Sequence, residues 1–238
     1  MWYEEYDFYE NPLSTDPEES SSTMVGCEDA LNELYYRIDS GSMAFIEVAE
    51  GSGKTSVLYR LIERYKGKKK VIYFDCSTLD KKLNIERLMK SRFGAVGNLF
   101  NIIPKDMIVL LDNVSDLGKK NAERIKYYFD QNYIKAIVFT GTSYAQTSLP
   151  KSIKERIGRR VVRLEPLSEE QAVDVVRQRL KEVELIPDAI VIKAFKASGR
   201  NIKEMLVLLN DACELAAQGQ EQTVSDKHLK SVLGDKNA

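Results

Sequence analysis

The stretch "MAFIEVAEGSGKTSVL", from Met43 to Leu58, decides how the rest of the chain is read. Its first six residues, Met43 to Val48, form an apolar run of strand length. From Lys54 onward "KTSVLYRLIERY" carries apolar residues at helical spacing. Gly51 and Gly53 lie between the two. Glycines at such a junction let the backbone curl until successive N–H groups point at one anion, and the start of the helix adds its positive dipole end. The full phosphate-loop pattern, Gly-x-x-x-x-Gly-Lys-Ser/Thr, asks for a glycine where this chain has Val48. That position joins strand to loop, and a β-branched residue is acceptable there if its φ stays negative. Glu50, Gly51, Ser52, Gly53, Lys54, Thr55 and Ser56 are therefore assigned to phosphate binding. Lys54 is the mobile ammonium for the terminal phosphates, and Thr55 offers a hydroxyl to a metal. The expected cofactors are ATP and Mg2+.

Working outward, strand and helix signals alternate from residue 30 to about residue 165. Strand-like runs occur at "MAFIEV", "KVIYFDC", "MIVLLD", "IKAIVFT" and "RVVRL", several of them continuously apolar, as strands covered on both faces should be. Helical stretches separate them: "KTSVLYRLIERY", "NIERLMKSRF", "KKNAERIKYYFDQ" and "SIKERI". This alternation predicts an α/β fold with a five-stranded parallel sheet of the P-loop NTPase kind. After "RLEPLSEEQ" the strand signal stops. Ser168 and Gln171 make a capping box that opens a helix, and further helices follow at "DAIVIKAFKAS", "IKEMLVLLNDACELAAQ" and "DKHLKSVL". A small all-helical domain is thus expected behind the sheet. The predicted divisions are an acidic arm at 1–27 contacting the nucleotide site, the α/β domain at 28–165 and the helical lid at 166–238.

Composition narrows the class. Apolar residues make up 43% and charged residues 30% of the 238 residues, as in ordinary soluble proteins. The longest apolar runs are strand-length and too short to span a bilayer, and no secretory signal opens the chain, so a cytoplasmic location is expected without membrane partners. The formal net charge of −1 offers no general attraction to nucleic acid or anionic lipid. Cys27, Cys76 and Cys213 form no CxxC pair, which fits a reducing compartment and argues against zinc. His228, alone in a charged stretch, reads as solvated surface and receives no role. The first 36 residues hold ten Asp or Glu and no Lys or Arg. They read as an acidic, partly extended arm, or as one whose Tyr9, Pro12 and Leu13 fold back onto the body. The cationic run "ERYKGKKKV" reads as surface that closes a helix rather than as a DNA contact.

A magnesium site also needs an acidic residue ending an apolar strand, and "MIVLLDNVSDL" provides Asp112. Thr55 and Asp112 are the predicted metal-binding pair. The next residue is Asn113. An amide can orient water by hydrogen bonding but cannot take its proton. Phosphoryl transfer depends mainly on positioning and charge stabilisation, so slow turnover is expected and fast turnover is not.

These motifs, in this order, resemble those of the AAA+ ATPases, and within them the archaeal origin-recognition initiators and related small archaeal AAA+ proteins. The resemblance covers nearly everything from about Tyr9 to Leu233. "FYENPL" resembles the family's Asn-Pro-Phe segment and "MVGCEDAL" its Val-Gly-Arg-Glu box, with Cys27 in the arginine's place. Both segments flank the adenine in that family, which makes Val25 and Gly26 base-pocket candidates. "AIVFTGT" resembles the strand whose polar end senses the γ-phosphate, placing Thr140 in that role. "LPKSIKERIGRRVVRLEPLSEEQA" resembles the segment with the arginine finger. Arg156 is the positional match, followed closely by Arg159 and Arg160. "ASGRNIKEML" resembles the lid motif Ser-Gly-x-Asn-Pro-Arg-x-Leu, with Lys203 in the arginine's place, Ile202 in the proline's and Arg200 nearby.

The departures from the family pattern, Val48 for Gly, Cys27 and Lys203 for Arg, and Asn113 where the family usually has a Glu that polarises the attacking water, all weaken hydrolysis or sensing, whereas Lys54, Thr55 and Asp112 keep the grip on phosphate and magnesium. The resemblance therefore implies an ATP-binding molecular switch with slow Mg-dependent hydrolysis, initiator- or loader-like in DNA replication or related DNA transactions. It implies a protein partner and a homo- or hetero-oligomer in which Arg156 reaches a neighbour's nucleotide. DNA is the weaker expectation, since family initiators bind it through a winged-helix domain behind the lid and this chain ends near the lid. The alternative is a non-hydrolysing nucleotide-binding adaptor that regulates a protein partner. A small-molecule kinase sharing the phosphate loop fits less well, because no substrate-binding insertion is present and a helical lid trails the sheet.

Overall fold

The computed structural model describes residues 1–49, 51–65, 70–78, 84–91 and 103–235. It falls into two compact units. One comprises Cys27–Ala49 and Val57–Glu165, the other Met1–Gly26, Glu50–Ser56 and Pro166–Ala238. Among the described residues no helix is long and apolar enough to cross a membrane. The cationic residues 66–69, Glu50, and the end of the "NIERLMKSRF" segment lie outside the described residues.

The first unit is built on five strands: β1 Met43–Glu47, β2 Val71–Asp75, β3 Met107–Asp112, β4 Ile134–Gly141 and β5 Val161–Arg163. All pair in parallel, in the order β2-β3-β4-β1-β5. Alternation along each strand sends Phe45, Ile72, Val109, Leu111, Ile137 and Phe139 into one core. Their neighbours Ala44, Ile46, Ile108, Leu110 and Val138 are buried as well. Burial on both faces is the reason these strands read as continuous apolar runs rather than as alternating ones. Because every strand points the same way, Glu47, Asp75, Asp112 and Gly141 end on one edge. Asp75 pairs in register with Asp112, and Glu47 with Gly141. Open α/β sheets bind ligands beyond this carboxyl edge.

The junction that carries Val48 is an extension of the ladder. Val48 N–H donates to Gly141 O at 3.2 Å and the side chain is buried. Its φ is not positive. Just before it, Glu47 accepts the Tyr144 N–H at 2.8 Å through Oε1 and the Arg163 Nε–H at 2.8 Å through Oε2. The end of β1 is thereby fixed from both flanking strands, and a glycine at position 48 is not needed.

In the second unit the four long helices span Glu169–Leu180, Asp188–Ala197, Ile202–Gln218 and Asp226–Asp235. The first carries the expected capping box: Ser168 Oγ accepts the Gln171 N–H at 3.1 Å and Gln171 Oε1 accepts the Ser168 N–H at 2.9 Å. Two sequence expectations need correction here. The first residues are not an extended arm: Trp2–Tyr6 forms a 3-10 turn, and Trp2 is 2% exposed within the helical core, alongside Leu13. The Trp2 indole N–H donates to Asn210 Oδ1 at 3.0 Å, and Asn11 Nδ2 donates to the same oxygen at 2.8 Å. Of the three residues expected to fold back, Leu13 does so, Pro12 is half-buried and Tyr9 is fully exposed. His228 is not solvated surface either. It is 3% exposed, and its Nδ1 accepts the Ser225 N–H at 3.1 Å while Nε2 lies 3.4 Å from Glu221. The charged neighbours in sequence hid a residue that caps the start of its own helix.

Candidate functional site

The loop after β1 has the backbone its glycines permit. Gly51 and Gly53 take φ of 74° and 87°, the left-handed region that only glycine enters cheaply. The helix that follows, Lys54–Tyr65, begins at the residue expected to reach phosphates. Lys54 and Thr55 are half-buried and Ser56 is buried. Glu50, assigned to this loop from the sequence, lies outside the described residues.

Within the same unit the loop meets residues distant in sequence. The Lys203 N–H approaches Gly51 O at 3.4 Å. The Asn201 carboxamide occupies the space that a Cβ on residue 51 would need. Asn201 is also the cap of the Ile202–Gln218 helix, its Oδ1 accepting the Glu204 N–H at 3.1 Å. The sequence reading looked to the Lys203 side chain for a sensing role. In the structure that side chain is exposed, and it is the Lys203 backbone and the Asn201 amide that meet the loop. Gly53 has Met24 as its nearest neighbour in this sense. Gly26, a base-pocket candidate with φ of 71°, faces Gln171 and Leu167. Val25, beside it, is half-buried. Arg200 pairs with Glu169 at 3.5 Å.

In the other unit, the carboxyl edge of β2, β3 and β4 holds a polar cluster. Asp112 is 1% exposed and Thr140 0%. The Thr140 hydroxyl donates to Asp112 Oδ1, which also accepts the Asn113 N–H at 3.0 Å. Tyr73 OH donates to Asp112 Oδ2 at 3.4 Å. Burial, then the Asp112 and Asp75 carboxylates, pushes the Tyr73 phenol well above its usual range and keeps it a donor. Buried carboxylates persist only when their lone pairs are met in this way. Thr140, expected at the γ-phosphate, thus has its hydroxyl bonded to Asp112.

Asn113 is in the left-handed region, with φ 52° and ψ 53°, a conformation Asn tolerates better than most residues. Its backbone N–H also reaches Thr140 Oγ1 at 3.2 Å, and its side-chain Nδ2 donates to Asp75 Oδ1 at 3.1 Å. The sequence reading did not single out Tyr73, Asp75 or Asn201. The one signal for Asp75 was its place at the end of a strand adjacent to the Asp112 strand.

Arg156 lies elsewhere. Its guanidinium pairs with Asp130 Oδ1 at 2.8 Å, and Asp130 precedes the first residue of β4. Thr140 lies at the far end of that strand, roughly 20 Å away by strand rise. Arg156 therefore stands at the edge where the strands begin, away from the Asp112 cluster of its own chain.

The profile of the AAA domain family matches residues 42–172, more than half of the chain. This chain belongs to the AAA domain family. Families of this kind generally bind nucleotide with Mg2+. Among solved structures, the Orc1 protein of Aeropyrum pernix in complex with DNA resembles this AAA domain chain with a TM-score of 0.75 at 18% identity, covering 94% of this chain and 68% of that one. Domain III of the replication initiation protein DnaA of Thermotoga maritima does so with a TM-score of 0.66 at 19% identity, covering 94% of this chain and 98% of that one. A RuvB structure from Thermotoga maritima gives 0.70 at 12% identity, covering 90% and 71%. At such identities the likeness is one of fold: a five-stranded parallel AAA+ sheet with a helical part behind it. No curated protein matches the chain.

Proposed function

We propose that this AAA domain protein is an ATP-binding molecular switch with slow Mg-dependent hydrolysis, initiator- or loader-like in DNA replication or a related DNA transaction. The roles are those of the sequence reading. The backbone from Gly51 to Ser56, with Lys54, takes the phosphates. Thr55 and Asp112 serve the magnesium, while Val25 and Gly26 flank the base. The division into arm 1–27, α/β domain 28–165 and helical domain 166–238, and a cytoplasmic location, belong to the same proposal.

The observation that carries it is the contact of Asn201 and the Lys203 N–H with Gly51. A phosphate seated on the loop amides would bear directly on the first turn of the Ile202–Gln218 helix, so nucleotide occupancy has a mechanical route into the helical unit. Gly51 and Gly53, both left-handed and followed at once by a helix start, fit the anion that such a loop receives. Arg156, at the opposite strand edge from Asp112, fits action on a neighbouring copy, as an oligomer requires. DNA binding and a protein partner remain part of the proposal through the resemblance to initiators.

The test is ATP-dependent thermal stabilisation. Saturation at about 100 times Kd should stabilise the wild-type protein by about 2.7 kcal/mol, and Lys54→Ala should remove that gain. Equal stabilisation of both proteins would overturn the phosphate-loop assignment. A second reading, the non-hydrolysing adaptor, is favoured by one observation: the Asn113 amide is turned to Asp75. Absence of phosphate release from an ATP-saturated protein would select it.

A further inference from the structure

We infer that this chain associates head to tail with further copies of itself. The acidic turn Asp7–Glu10 of one copy, with Tyr9 at its tip, seats on the edge of the next copy's sheet where the strands begin. Charge is divided between the two units far more unevenly than the net charge of −1 suggests. Met1–Gly26, Glu50–Ser56 and Pro166–Ala238 together hold 20 Asp or Glu against 11 Lys or Arg, whereas Cys27–Ala49 and Val57–Glu165 hold 16 against 24. The two units are thus opposite in charge, and a second copy offers each of them a complementary surface.

The turn is anchored on both sides. Before it, Trp2 is buried and tied to Asn210; after it, Leu13 is buried and Asn11 donates to the same Asn210 oxygen. The Phe8 N–H closes onto Tyr3 O at 3.1 Å, and Tyr6 OH donates to Gln222 O at 3.3 Å. Between these anchors Tyr9 is fully exposed. Asp7 and Glu10 are exposed beside it, and among the described residues neither is ion-paired. A tyrosine held outward on an ordered turn offers a large contact area and has little side-chain entropy to lose on binding.

The receiving edge follows from the parallel sheet, which gathers every strand start on one side. Lys105 stands two residues before β3, Lys135 is the second residue of β4, and Arg159 stands two before β5. In the order β2-β3-β4-β1-β5 they span about 15 Å by strand spacing. Among the described residues none of the three is ion-paired. The carboxylates at this edge are already engaged, Asp106 with Lys70 at 3.4 Å and Asp130 with Arg156 at 2.8 Å. Cations that end helices are explained by the helix dipole, but Lys105 and Lys135 stand at strand starts.

Two further aromatic side chains are left exposed among the described residues, Tyr36 and Tyr127. Each lies in the last turn of a helix that packs on β4, Glu28–Asp39 and Lys119–Asp130. The first helix leads into Gly41, where a Cβ would meet Lys135 O at 3.5 Å; beside the second, the Tyr128 ring meets that of Tyr133, which precedes β4. Exposed tyrosines thus flank the unpaired cations, the composition of a protein interface. Nucleic acid fits this edge less well, because Asp106 and Asp130 stand within the row and the whole chain offers a polyanion no long-range attraction. Turn and edge are different surfaces, so the contact does not close on itself in a two-fold dimer, and assembly continues into a ring or filament. It extends the oligomer of the proposed function without resting on nucleotide binding.

Sedimentation velocity of the full chain without nucleotide tests this, so a failed nucleotide reading leaves the result intact. The mass of the wild-type protein should rise between about 1 and 100 μM, a range that brackets ordinary weak association. The dissociation constant should increase about tenfold or more from 0.1 M to 1 M NaCl, as the screening length falls from about 10 Å to about 3 Å. Tyr9→Ala should weaken association about 30-fold, the scale of a hot-spot truncation. A turn variant (Asp7→Asn, Tyr9→Ala, Glu10→Lys) and an edge variant (Lys105→Glu, Lys135→Glu, Arg159→Glu) should each be monomeric alone. Mixed in equal amounts they should form a dimer and nothing larger, because the pair retains one intact turn and one intact edge. Far-UV circular dichroism checks that both fold, and an edge variant that keeps the half-buried Lys135 replaces the triple one if it does not. A wild-type protein monomeric throughout, variants that assemble as the wild type does, or a mixture that stays monomeric overturns the proposal. So does a monomeric wild-type protein that binds a labelled oligothymidylate of about 20 nucleotides and loses it in the edge variant, which would assign the edge to nucleic acid.

Discussion

Replacing Asn113 by Glu, which would give the chain the carboxylate its sequence lacks, should destabilise it and should not produce a fast hydrolase. Three structural quantities set the size of the effect. The residue is held at φ 52° and ψ 53°, where a non-glycine residue other than Asn or Asp pays about 1 kcal/mol. The donor to Asp75 is lost, and a hydrogen bond to a charged partner contributes about 1.5–3 kcal/mol. A second carboxylate about 4 Å from Asp75 adds up to about 4 kcal/mol of repulsion at an effective dielectric near 20. Asp75 and Asn113 are half-exposed, and the longer Glu can turn outward, so most of that repulsion is screened. The expected loss is about 4 kcal/mol at pH 7.5. The pH dependence follows from sign. Repulsion raises the pKa of the carboxylate pair in the folded state, so the deficit should shrink to about 3 kcal/mol at pH 5 and grow as pH rises. Urea unfolding followed by far-UV circular dichroism at the two pH values measures both. Wild-type stability at pH 7.5, or the same deficit at both pH values, would refute the reasoning. A gain of about 10²-fold in turnover would show that a carboxylate at position 113 is what limits hydrolysis.

Other outcomes follow from single contacts. Gly51→Ala forces a Cβ into the Asn201 carboxamide and a side chain into left-handed backbone, so it should lower the stability of the helical unit by about 2 kcal/mol. The only tryptophan, Trp2, lies in that unit, so its fluorescence in a urea titration reads the loss directly, and an unchanged midpoint would contradict it. Arg156→Ala should leave ATP affinity unchanged and flatten any rise of ATPase rate per subunit with protein concentration. An arginine acting in trans contributes about 10³–10⁵ in rate, and a concentration-independent wild-type rate would confine Arg156 to its pairing with Asp130. All three cysteines are buried and their thiols raised, Cys76 to about 12, so at pH 8 roughly one Cys76 in 10⁴ is thiolate. Iodoacetamide labelling followed by mass spectrometry should modify them only after unfolding, and rapid labelling of native protein would be the contrary result.

Much of this molecule was legible in one dimension because its signals are local. Strand runs, helix faces and the Ser168–Gln171 cap depend on residues a few positions apart, and the described elements fall on the segments that carry those patterns. The backbone of the loop after β1 was legible for the same reason. Two glycines between a strand and a helix dictate their own backbone, and Asp112 announces itself by closing an apolar strand. The order β2-β3-β4-β1-β5 was not legible, since continuously apolar strands of similar length do not encode which neighbour each will take. Nor was the fate of Trp2, whose acidic surroundings in sequence suggested solvent while a core in the helical unit offered its indole a buried place and Asn210 a partner. Asp75 and Asn113 meet across two strands and Asn201 meets Gly51 across half the chain. Such pairings exist only once the intervening segments have packed, because register and burial are set by contacts between distant residues and not by the composition around each one.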